Sequence, residues 1–422
     1  MTPTAPVAAL CLALALTGVA PAALRAQTVA AEEAAPFGEA EAVELFTKAL
    51  RRIRGSYLEP MSDRQLAEIA IAAMAERDRY SKYLNPADVK QLDAETRGEM
   101  TGIGIRYRKE GERVRVSEVL PGSPADKAGM RTGDALVQVE GRLVGSLDIA
   151  EIGRLVRGRD GVPVRLTLER AGAPALIELM VARASMTVPS VRWGMAGRVG
   201  YIRINRFDRR TYPGVGEALA ALRAGGGAGL RGIVLDLRDN PGGLVRAAVD
   251  VADAFLGGGT ILTSVARDGS ASRVHTARPG DESGEAPLVV LINNRSASSA
   301  EILAGALQDH GRAVLVGSKS FGKGVIQNIY PMPGGSALKL TVARYQTPAG
   351  HAIHQIGIAP DVIVDGPESP TLTTAGIPDV ATDQPFARAL KLLDAAPGRP
   401  GAGTVASTPR PAATAAGLGT GG

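Results

Sequence analysis

The stretch Pro287–Gln327 constrains the fold of this 422-residue chain more than any other, because it reads as strand, tight turn, helix and strand. Apolar runs at Leu288–Ile292 and Ala313–Val316 predict two buried strands. Between them, Glu301–His310 has helix-forming composition, and Gly311 ends the helix. Residues in a strand-to-helix turn lie at the carboxyl end of an open α/β sheet, where such sheets hold their chemistry.

Three serines, Ser296, Ser298 and Ser299, occupy this turn. Ser298 and Glu301 fit a capping box, in which a hydroxyl and a carboxylate satisfy backbone N–H groups at a helix start. The same position suits a nucleophile, because a helix amino end carries partial positive charge and free N–H groups that favour an oxyanion. A serine hydroxyl still needs a base near neutral pH. The residues themselves leave both interpretations open.

A base for Ser298 has to come from elsewhere in the chain. None of the four histidines stands in a context that suggests a catalytic triad, and His310 is expected to cap the end of its helix. Lysine serves as a base where burial lowers its pKa from about 10.4 toward about 7–8. Lys323 lies in SFGKGV, where glycines allow close backbone approach and apolar neighbours favour desolvation. The alternative, a solvated loop charge, stays open on composition alone.

Two motifs that overlap this stretch are rejected. The segment 317–323 resembles a phosphate-binding P-loop, but Gly324 stands where Ser or Thr would hold magnesium, and a strand-like run follows where a helix is required. Ser320 and Lys323 match the S-x-x-K of penicillin-binding enzymes, but the chain has no S-D-N or K-T-G partner motif.

The runs SASSAEILAGALQDHGRAVLVG and SFGKGVIQ resemble the active-site signature of the carboxyl-terminal-processing (tail-specific) peptidases. The resemblance implies that Ser298 is the nucleophile, that Lys323 is the general base and that Gln327 orients the lysine. The family often has S-A-S-A-S-E where this chain has S-A-S-S-A-E, an exchange that touches neither Ser298 nor Glu301. The resemblance extends over roughly residues 40–393.

Residues 1–26 resemble a secretory signal, because the apolar run Val7–Val19 precedes small residues that suit cleavage. We therefore expect export across the inner membrane to the periplasm. No Lys or Arg precedes the apolar run, so an uncleaved segment that associates with the membrane is the alternative. The single cysteine, Cys11, follows Leu10 inside this segment, which disfavours lipid attachment. A mature chain without cysteine has no disulfides and no thiolate–metal chemistry.

Residues 31–98 read as a helical region, with apolar residues at three- and four-residue spacing in Glu39–Ile53 and Asp63–Met74. The run DRYSKYLNP (Asp78–Pro86) punctuates this region. It is similar to a segment that precedes the PDZ domain in the processing-peptidase family.

Residues 99–184 alternate apolar and polar residues between glycine turns, which predicts short strands. They resemble a PDZ domain, and Pro121–Gly141 is close to its consensus. Four residues match its carboxylate-binding loop: Gly102, Ile103, Gly104 and Ile105. Backbone N–H groups of such a loop hold a terminal carboxylate while the peptide adds a strand to the sheet edge. The two isoleucines favour an apolar final side chain, and a helix at Ile149–Val156 is expected to border the groove. Alone, the glycine run also fits a plain strand turn.

Residues 185–365 are expected to form the peptidase core. Strand patterns alternate with helical ones: Gly200–Phe207, Gly214–Arg223, Gly232–Leu237 and Leu244–Phe255.

The turn RDNPGG at residues 238–243 resembles the family's glycine turn, which supplies one amide of an oxyanion hole. The resemblance assigns that amide to Gly242 or Gly243 and the other amide to Ser299. A plain β-to-α glycine turn is the alternative, and it is compatible with this role because the backbone performs it.

The carboxyl-terminal part also resembles the family, in the run YQTPAGHAIHQIGIAPDV. His351 and His354 lie in this run, but two histidines without an H-E-x-x-H frame or a third ligand do not predict a metal site. Residues 366–394 are expected to contain a short helix. Residues 395–422 are rich in Pro, Gly, Ala and Thr and are expected to be disordered.

These features predict an α/β multidomain protein with an amino-terminal helical region, an inserted PDZ domain and an α/β core of the crotonase/Clp-like type. The net charge of +5 has both signs interspersed, which indicates solubility and no nucleic-acid binding. The family resemblance implies a serine endopeptidase that needs no metal or cofactor. Its expected substrates are proteins with apolar carboxyl tails, cleaved near those tails.

Two other functions fit parts of the sequence. A catalytically silent scaffold would keep the PDZ domain and bind peptides without cutting them. A related α/β core would instead serve acyl-CoA chemistry, which the set Ser298, Lys323 and Gln327 argues against. The sequence leaves open the physiological substrate, a need for an adaptor protein, and homo-oligomerisation.

Overall fold

The computed structural model describes residues 38–226, 230–367, 370, 372–373 and 375–395. The predicted signal (1–26) and the predicted tail beyond Ala395 lie outside these residues. The described residues form two compact units, divided between Ile69 and Ala70. In the part of the chain that the structure describes, no helix has the length and apolar character needed to cross a membrane.

In its described part, 38–98, the region predicted to be helical contains three helices and a short strand. α1 (Glu39–Ser56) and α2 (Asp63–Ala75) match the two predicted helices. A short strand, β1 (Lys82–Leu84), then precedes α3 (Pro86–Thr96). Residues 82–84 are extended because they pair, antiparallel, with β18 (Ala337–Gln346). That partner lies more than 250 residues away, so helical periodicity did not predict the pairing.

The PDZ region begins and ends at one two-stranded ribbon. β2 (Glu99–Gly102) pairs antiparallel with β9 (Ala184–Thr187). Between them lie the elements β3 (Ile105–Glu110), β4 (Arg113–Val119), α4 (Pro124–Lys127), β5 (Ala135–Val139), β6 (Arg142–Leu143), α5 (Ile149–Val156), β7 (Pro163–Glu169) and β8 (Ile177–Ala182). The strands form one sheet in the order β3, β4, β5, β7, β8, with β6 on β5. The sheet and α5 enclose a separate apolar core.

Six strands form the central sheet of the larger core, in spatial order β10 (Val191–Ala196), β11 (Val199–Ile204), β12 (Gly232–Asp236), β15 (Leu288–Ile292), β16 (Ala313–Gly317) and β19 (Val362–Ile363). All neighbouring pairs from β11 to β19 are parallel, and β10 alone is antiparallel to its neighbour. The two strands predicted on either side of the serine turn are therefore confirmed as β15 and β16.

Helices cover both faces of this sheet. They are α6 (Thr211–Gly226), α7 (Val245–Phe255), α8 (Ser299–Asp309) and α9 (Gln384–Ala395). Alternate residues of the strands point to opposite faces. One set, including Leu235 and Val290, packs in a cluster with α6, α7 and α8. The other set, including Val234 and Leu291, packs against Phe386 of α9. Both faces are buried, which explains the uninterrupted apolar runs of the strands.

A second sheet lies beside the turn that carries Ser298. It contains β1, β18, β13 (Gly259–Val265) and β14 (Ala271–Ala277) in that order, with β17 (Val325–Pro331) also paired to β18. β17 confirms the strand that the sequence predicted after Lys323. It leads the chain away from the loop that carries this lysine.

A buried charge network joins the central sheet to α9. Arg238 is 2% exposed and donates hydrogen bonds to Asp236 at 2.7 Å and to Asp383 at 2.9 Å. Burial by itself raises the pKa of Asp236, but the neighbouring guanidinium groups of Arg238 and Arg203 outweigh burial and lower that pKa to about 2. Asp383 also accepts a hydrogen bond from the Phe386 N–H, in the first turn of α9. The network therefore fixes the helix to the sheet.

We expect Asp383→Ala to destabilise the fold by about 3 kcal/mol, because it leaves a buried guanidinium short of one partner and removes a helix cap. The free energy of unfolding, from urea denaturation followed by circular dichroism, measures this loss. Asp250→Ala is the matched control, because Asp250 pairs with Arg246, whose side chain is 79% exposed. That variant should lose no more than about 0.5 kcal/mol. Equal losses in the two variants would contradict the assignment.

Candidate active site

Three loops converge where the parallel strands β12, β15 and β16 end. They are the glycine turn after β12, the serine turn after β15 and the Lys323 loop after β16. Because neighbouring parallel strands end at the same edge of a sheet, residues more than 80 positions apart in the sequence come together. The structure therefore places Gly242, Gly243, Ser298, Ser299 and Lys323 at one sheet edge, whereas Gln327 lies on β17.

Ser298 has a strained backbone at the start of α8. Its φ of 56° and ψ of −116° lie outside the regions that non-glycine residues prefer. Such a conformation costs about 1–3 kcal/mol and persists only where the surroundings enforce it. The side chain is 7% exposed. A sharp strand-to-helix turn with a strained serine is the geometry that presents a nucleophile.

Hydrogen bonds to the adjacent loops hold the serine turn in this shape. The Ser296 hydroxyl donates to the Leu237 carbonyl at 2.8 Å and accepts from the Asn293 N–H at 2.9 Å. The Ala297 N–H donates to the Asn240 carbonyl at 2.9 Å. Ser296 is therefore a structural residue of the turn, and its hydroxyl is occupied.

The Glu301 carboxylate joins the serine turn to the lysine loop. One oxygen, Oε2, accepts from the Ser298 N–H and from the Lys323 N–H, both at 2.8 Å. The other oxygen, Oε1, accepts from the Gly322 N–H at 2.7 Å and from the Ser320 hydroxyl at 2.6 Å. Burial raises the pKa of Glu301, and these four donors oppose the rise. Four donors on two oxygens are the arrangement that fits an ionised carboxylate.

A tyrosine hydroxyl forms a second connection between the same two residues. Tyr345 Oη lies 3.0 Å from the Ser298 carbonyl oxygen and 2.6 Å from the Lys323 carbonyl oxygen. Its ring is 2% exposed and comes from β18. Ser298 and Lys323 are thus held together through their backbones on both the N–H and the C=O side.

Lys323 lies in surroundings that favour the neutral amine. Burial lowers its pKa, and the nearby cations Lys339 and Arg79 lower it further, so that it reaches about 8 although Glu301 raises it. Its Nζ is 5.0 Å from the centre of the Tyr80 ring. Within the described chain, Nζ forms no hydrogen bond to the Ser298 hydroxyl. The structure joins the two backbones and leaves the two side-chain ends apart.

The glycines on either side of Lys323 are required by close packing, as the sequence predicted. Gly322 has a φ of 90°, a conformation that favours glycine. A Cβ at position 324 would lie 2.4 Å from the His354 backbone nitrogen. His354 is therefore a packing neighbour of the lysine loop, and its ring contacts the Tyr80 ring edge-on with centroids 6.1 Å apart.

The two glycines of the β12 turn differ in the use of their N–H groups. The Gly242 N–H donates to the Asn240 side chain at 2.9 Å. In the described chain, neither the Gly243 N–H nor the Ser299 N–H donates to a protein acceptor. A Cβ on Gly242 would lie 2.7 Å from Ser298 Cβ, so the turn packs directly on the serine. The Ser299 hydroxyl donates to the Gly243 carbonyl at 3.0 Å and holds the two turns together.

Two other residues that the sequence singled out, Gln327 and His351, form no hydrogen bond to Ser298 or Lys323 in the described structure. Gln327 lies on β17, and its Nε2 is buried without a hydrogen-bond partner in the described structure. His351 lies 3.6 Å from Asp309. The described residues contain no cluster of three metal-ligating side chains.

The predicted carboxylate loop of the PDZ region has one position that requires glycine. Gly104 has a φ of 83°, and a Cβ there would lie 2.2 Å from Ser123 Cβ. Ile103 is buried in the PDZ core, while Ile105 is only partly buried and begins β3. Tyr107 on β3 reaches toward α5, and its hydroxyl lies 3.4 Å from the Ile149 carbonyl oxygen.

Sequence reasoning missed the residues that surround the lysine amine. Arg79 and Tyr80 come from the run DRYSKYLNP, which was interpreted as a break between helices and as similar to a segment before the PDZ domain of the family. Lys339 and Tyr345 come from β18; Lys339 lies outside any motif, and Tyr345 begins the family-like run YQTPAGHAIHQIGIAPDV, which was given no role in the site. Neither interpretation of DRYSKYLNP connected it with the site. Glu301 was predicted as a helix cap, and its contact with the lysine loop was not.

Comparisons with known proteins agree with this geometry. The profile described as peptidase family S41 matches residues 198–364, and a PDZ-domain profile matches residues 115–170. A carboxy-terminal-processing protease of Bartonella bacilliformis is 37% identical over 76% of this chain and 75% of its own length. A carboxyl-terminal-processing protease of Synechocystis sp. is 36% identical over 81% of this chain and 80% of its own length.

A solved structure, that of a photosystem II D1 C-terminal processing protease, is 32% identical. It superposes with a TM-score of 0.52 and covers 77% of this chain and 94% of its own. The predicted fold class and family resemblance are confirmed by these matches. The chain therefore belongs to peptidase family S41, as a serine-type carboxyl-terminal-processing peptidase with a PDZ domain.

Proposed function

We propose that this peptidase cuts proteins near their carboxyl ends with a dyad of Ser298 and Lys323. The observation that carries the proposal is the double connection between the two residues. Glu301 binds both N–H groups, and Tyr345 Oη contacts both carbonyl oxygens. The depressed pKa of Lys323, about 8, keeps an appreciable fraction of the amine neutral near physiological pH.

In the first step, neutral Lys323 accepts the hydroxyl proton of Ser298 while Oγ attacks the scissile carbonyl carbon. The lysine side chain moves from the Tyr80 ring to the serine by rotation about its flexible stem, while both backbones stay fixed. The resulting ammonium then protonates the leaving amine, and an acyl-enzyme forms on Ser298. Lys323 next takes a proton from water, whose oxygen attacks the ester carbonyl carbon, and then returns that proton to Ser298 Oγ as the ester bond breaks and the second product leaves. Gln327 is proposed to orient the amine with its unpartnered side-chain amide.

The oxyanion is proposed to bind the N–H groups of Gly243 and Ser299. The Gly242 N–H is already occupied by Asn240, which favours Gly243 as the donor from the glycine turn. The Ser299 N–H is one of the unpaired donors at the start of α8, where the helix dipole also favours negative charge. Together these donors would stabilise the charge that develops in the transition state.

Substrate selection is proposed to begin at the PDZ domain. The loop Gly102–Ile105 would hold the free carboxyl group, and an apolar last side chain would lie against Ile105. The relatives named as carboxyl-terminal-processing proteases support proteins as substrates. Export to the periplasm is proposed from the signal-like residues 1–26.

Ser298→Ala and Lys323→Met should each reduce cleavage of a protein with an apolar tail by about 10³-fold or more, because either change removes an essential partner of a catalytic unit. Release of the cleaved tail, followed by mass spectrometry, measures the rate. Lys90→Met is the matched control, since Lys90 is exposed on α3. Full activity in either dyad variant would refute the mechanism and favour the silent scaffold.

The rate constant kcat should rise with pH through about 8, because the base must lose its proton and its pKa is about 8. Below that pKa the neutral fraction of Lys323, and hence kcat, falls about tenfold for each pH unit. Steady-state kinetics from pH 5 to 9 test this, with unfolding monitored at each pH. A rate that is flat over this range would exclude a lysine base.

Glu301→Gln should reduce both activity and stability, because the amide presents a donor where the wild-type oxygen accepts two backbone N–H groups. Each buried donor left unsatisfied costs about 1–3 kcal/mol. Thermal unfolding and kcat should both fall. Glu217→Gln, at an exposed position on α6, should change neither. Wild-type kcat in Glu301→Gln would show that the carboxylate does not position the dyad.

A further inference from the structure

A cavity of about 780 Å³ lies beside Lys323 and has no part in the mechanism above. Its walls come from the segment 76–95, from the lysine loop and from β18. Five of the lining side chains are basic: Arg77, Arg79, Lys82, Lys323 and Lys339. The volume lies in the range of about 300–1,000 Å³ that is typical of ligand sites.

The basic side chains in this cavity lack anionic partners. Within the described chain, none of the five has a carboxylate oxygen within 4.0 Å, whereas basic side chains elsewhere, such as Arg97 and Arg170, do. Lys82 and Lys339 are also direct partners across the β1–β18 pair. Like charges opposite each other on neighbouring strands repel and destabilise the pair. An anion between the two ammonium groups would remove this repulsion.

The acidic residues of the cavity only partly compensate. Asp78 is engaged within its own turn, where it accepts hydrogen bonds from the Tyr80 N–H at 2.7 Å and from the Ser81 N–H at 2.8 Å. Glu95 lies 3.5 Å from Arg206, which is outside the cavity lining, and it also favours the charged form of Lys339. Two further acids, Glu76 and Asp88, line the wall.

An aromatic ring positions two of the cations. The Tyr80 ring centre is 4.9 Å from the Arg79 guanidinium carbon and 5.0 Å from Lys323 Nζ. Arg79 also donates a hydrogen bond to the Tyr80 hydroxyl at 2.6 Å. Contact with the ring face stabilises a cation without neutralising it. The positive charge of the cavity is therefore held in place and stays available to a ligand.

We propose that this cavity is a subsite for a carboxylate of the peptide substrate, held by Lys82, Lys339 and Arg79 next to the catalytic lysine. The proposal rests on the proposed function, since a peptide carries anionic groups only as acidic side chains or as its terminal carboxyl. Either source presents the same planar carboxylate, which lysine and arginine bind through charge-assisted hydrogen bonds. This subsite is separate from the carboxylate loop of the PDZ domain.

Occupation of the subsite has a second effect, on the base. Lys339 and Arg79 face Lys323 and oppose its charged form, while Glu301 favours that form from the other side. A carboxylate beside these cations stabilises the ammonium form of Lys323. The acid limb of kcat therefore moves to higher pH for a substrate that fills the subsite, and KM falls for the same substrate.

The test uses fluorogenic peptides in which one residue at a time, on either side of the scissile bond, is Glu or Gln. Each peptide is made with a free and with an amidated carboxyl end. Wild type is compared with Lys339→Met, with Lys82→Met as a second variant should the first not fold. The exposed Lys90→Met is the control. The PDZ domain is unaltered in every variant, so a tail preference that survives in Lys339→Met belongs to that domain.

We expect a carboxylate at one position to lower KM by roughly three- to tenfold in wild type and in Lys90→Met. In Lys339→Met, the KM values for the peptides with and without this carboxylate should be nearly equal. If an acidic side chain is the ligand, Lys339→Met removes the difference in KM between the Glu and Gln peptides. If the terminal carboxyl is the ligand, it removes the difference in KM between the free and amidated peptides. Identical ratios in wild type and Lys339→Met overturn the subsite. The subsite is also overturned if Lys339→Met moves the acid limb of kcat by the same amount for every peptide. That result would show that Lys339 acts only on Lys323.

A binding experiment separates failure of the subsite from failure of the proposed function. Ser298→Ala, with and without Lys339→Met, is titrated with the same labelled peptides and followed by fluorescence anisotropy. If wild type cuts no peptide, the proposed function fails. The subsite still stands if Ser298→Ala prefers the carboxylate peptide and the double variant does not. Equal binding of the peptide pair by Ser298→Ala overturns the subsite even where cleavage is normal.

Discussion

The active site depends on the buried carboxylate of Glu301. It receives four hydrogen bonds, of which two come from the backbones of Ser298 and Lys323. A fully buried acid is unfavourable unless its oxygens are satisfied, so the loops must close around it in one arrangement. This arrangement also sustains the strained φ of Ser298. Tyr345 reinforces it from the opposite side.

The same surroundings set the protonation of Lys323, the proposed base. Desolvation and neighbouring cations lower the pKa of Lys323, whereas Glu301 raises it, and the balance falls near 8. The cations come from β18 and from the segment before α3, which the β1–β18 pairing brings beside the lysine. One strand pairing therefore contributes both to the tuning of the base and to the walls of the adjacent cavity. If both proposals hold, binding in that cavity and proton transfer at Lys323 are linked by electrostatics.

Two interpretations that the sequence left open for Ser298 are compatible in the structure. Glu301 accepts a hydrogen bond from the Ser298 N–H, which is the part of a capping box that a carboxylate supplies. Its other oxygen reaches the lysine loop, so the helix cap is also the joint between two loops. A helix cap and the proposed catalytic role are therefore compatible at this turn. Local pattern could not reveal this, because the second set of donors lies about 20 residues downstream.

The sequence by itself determined the strands β15 and β16, the helix between them, the glycines that flank Lys323, and the family. These follow from local periodicity, from backbone freedom and from a long specific motif. Only the tertiary structure decided that residues 82–84 form a strand, that the Gly242 N–H is occupied, and that Arg79, Tyr80 and Lys339 surround the lysine. The physical reason is that parallel and long-range strand pairing, and the electrostatic field of a buried site, depend on residues far apart in the chain.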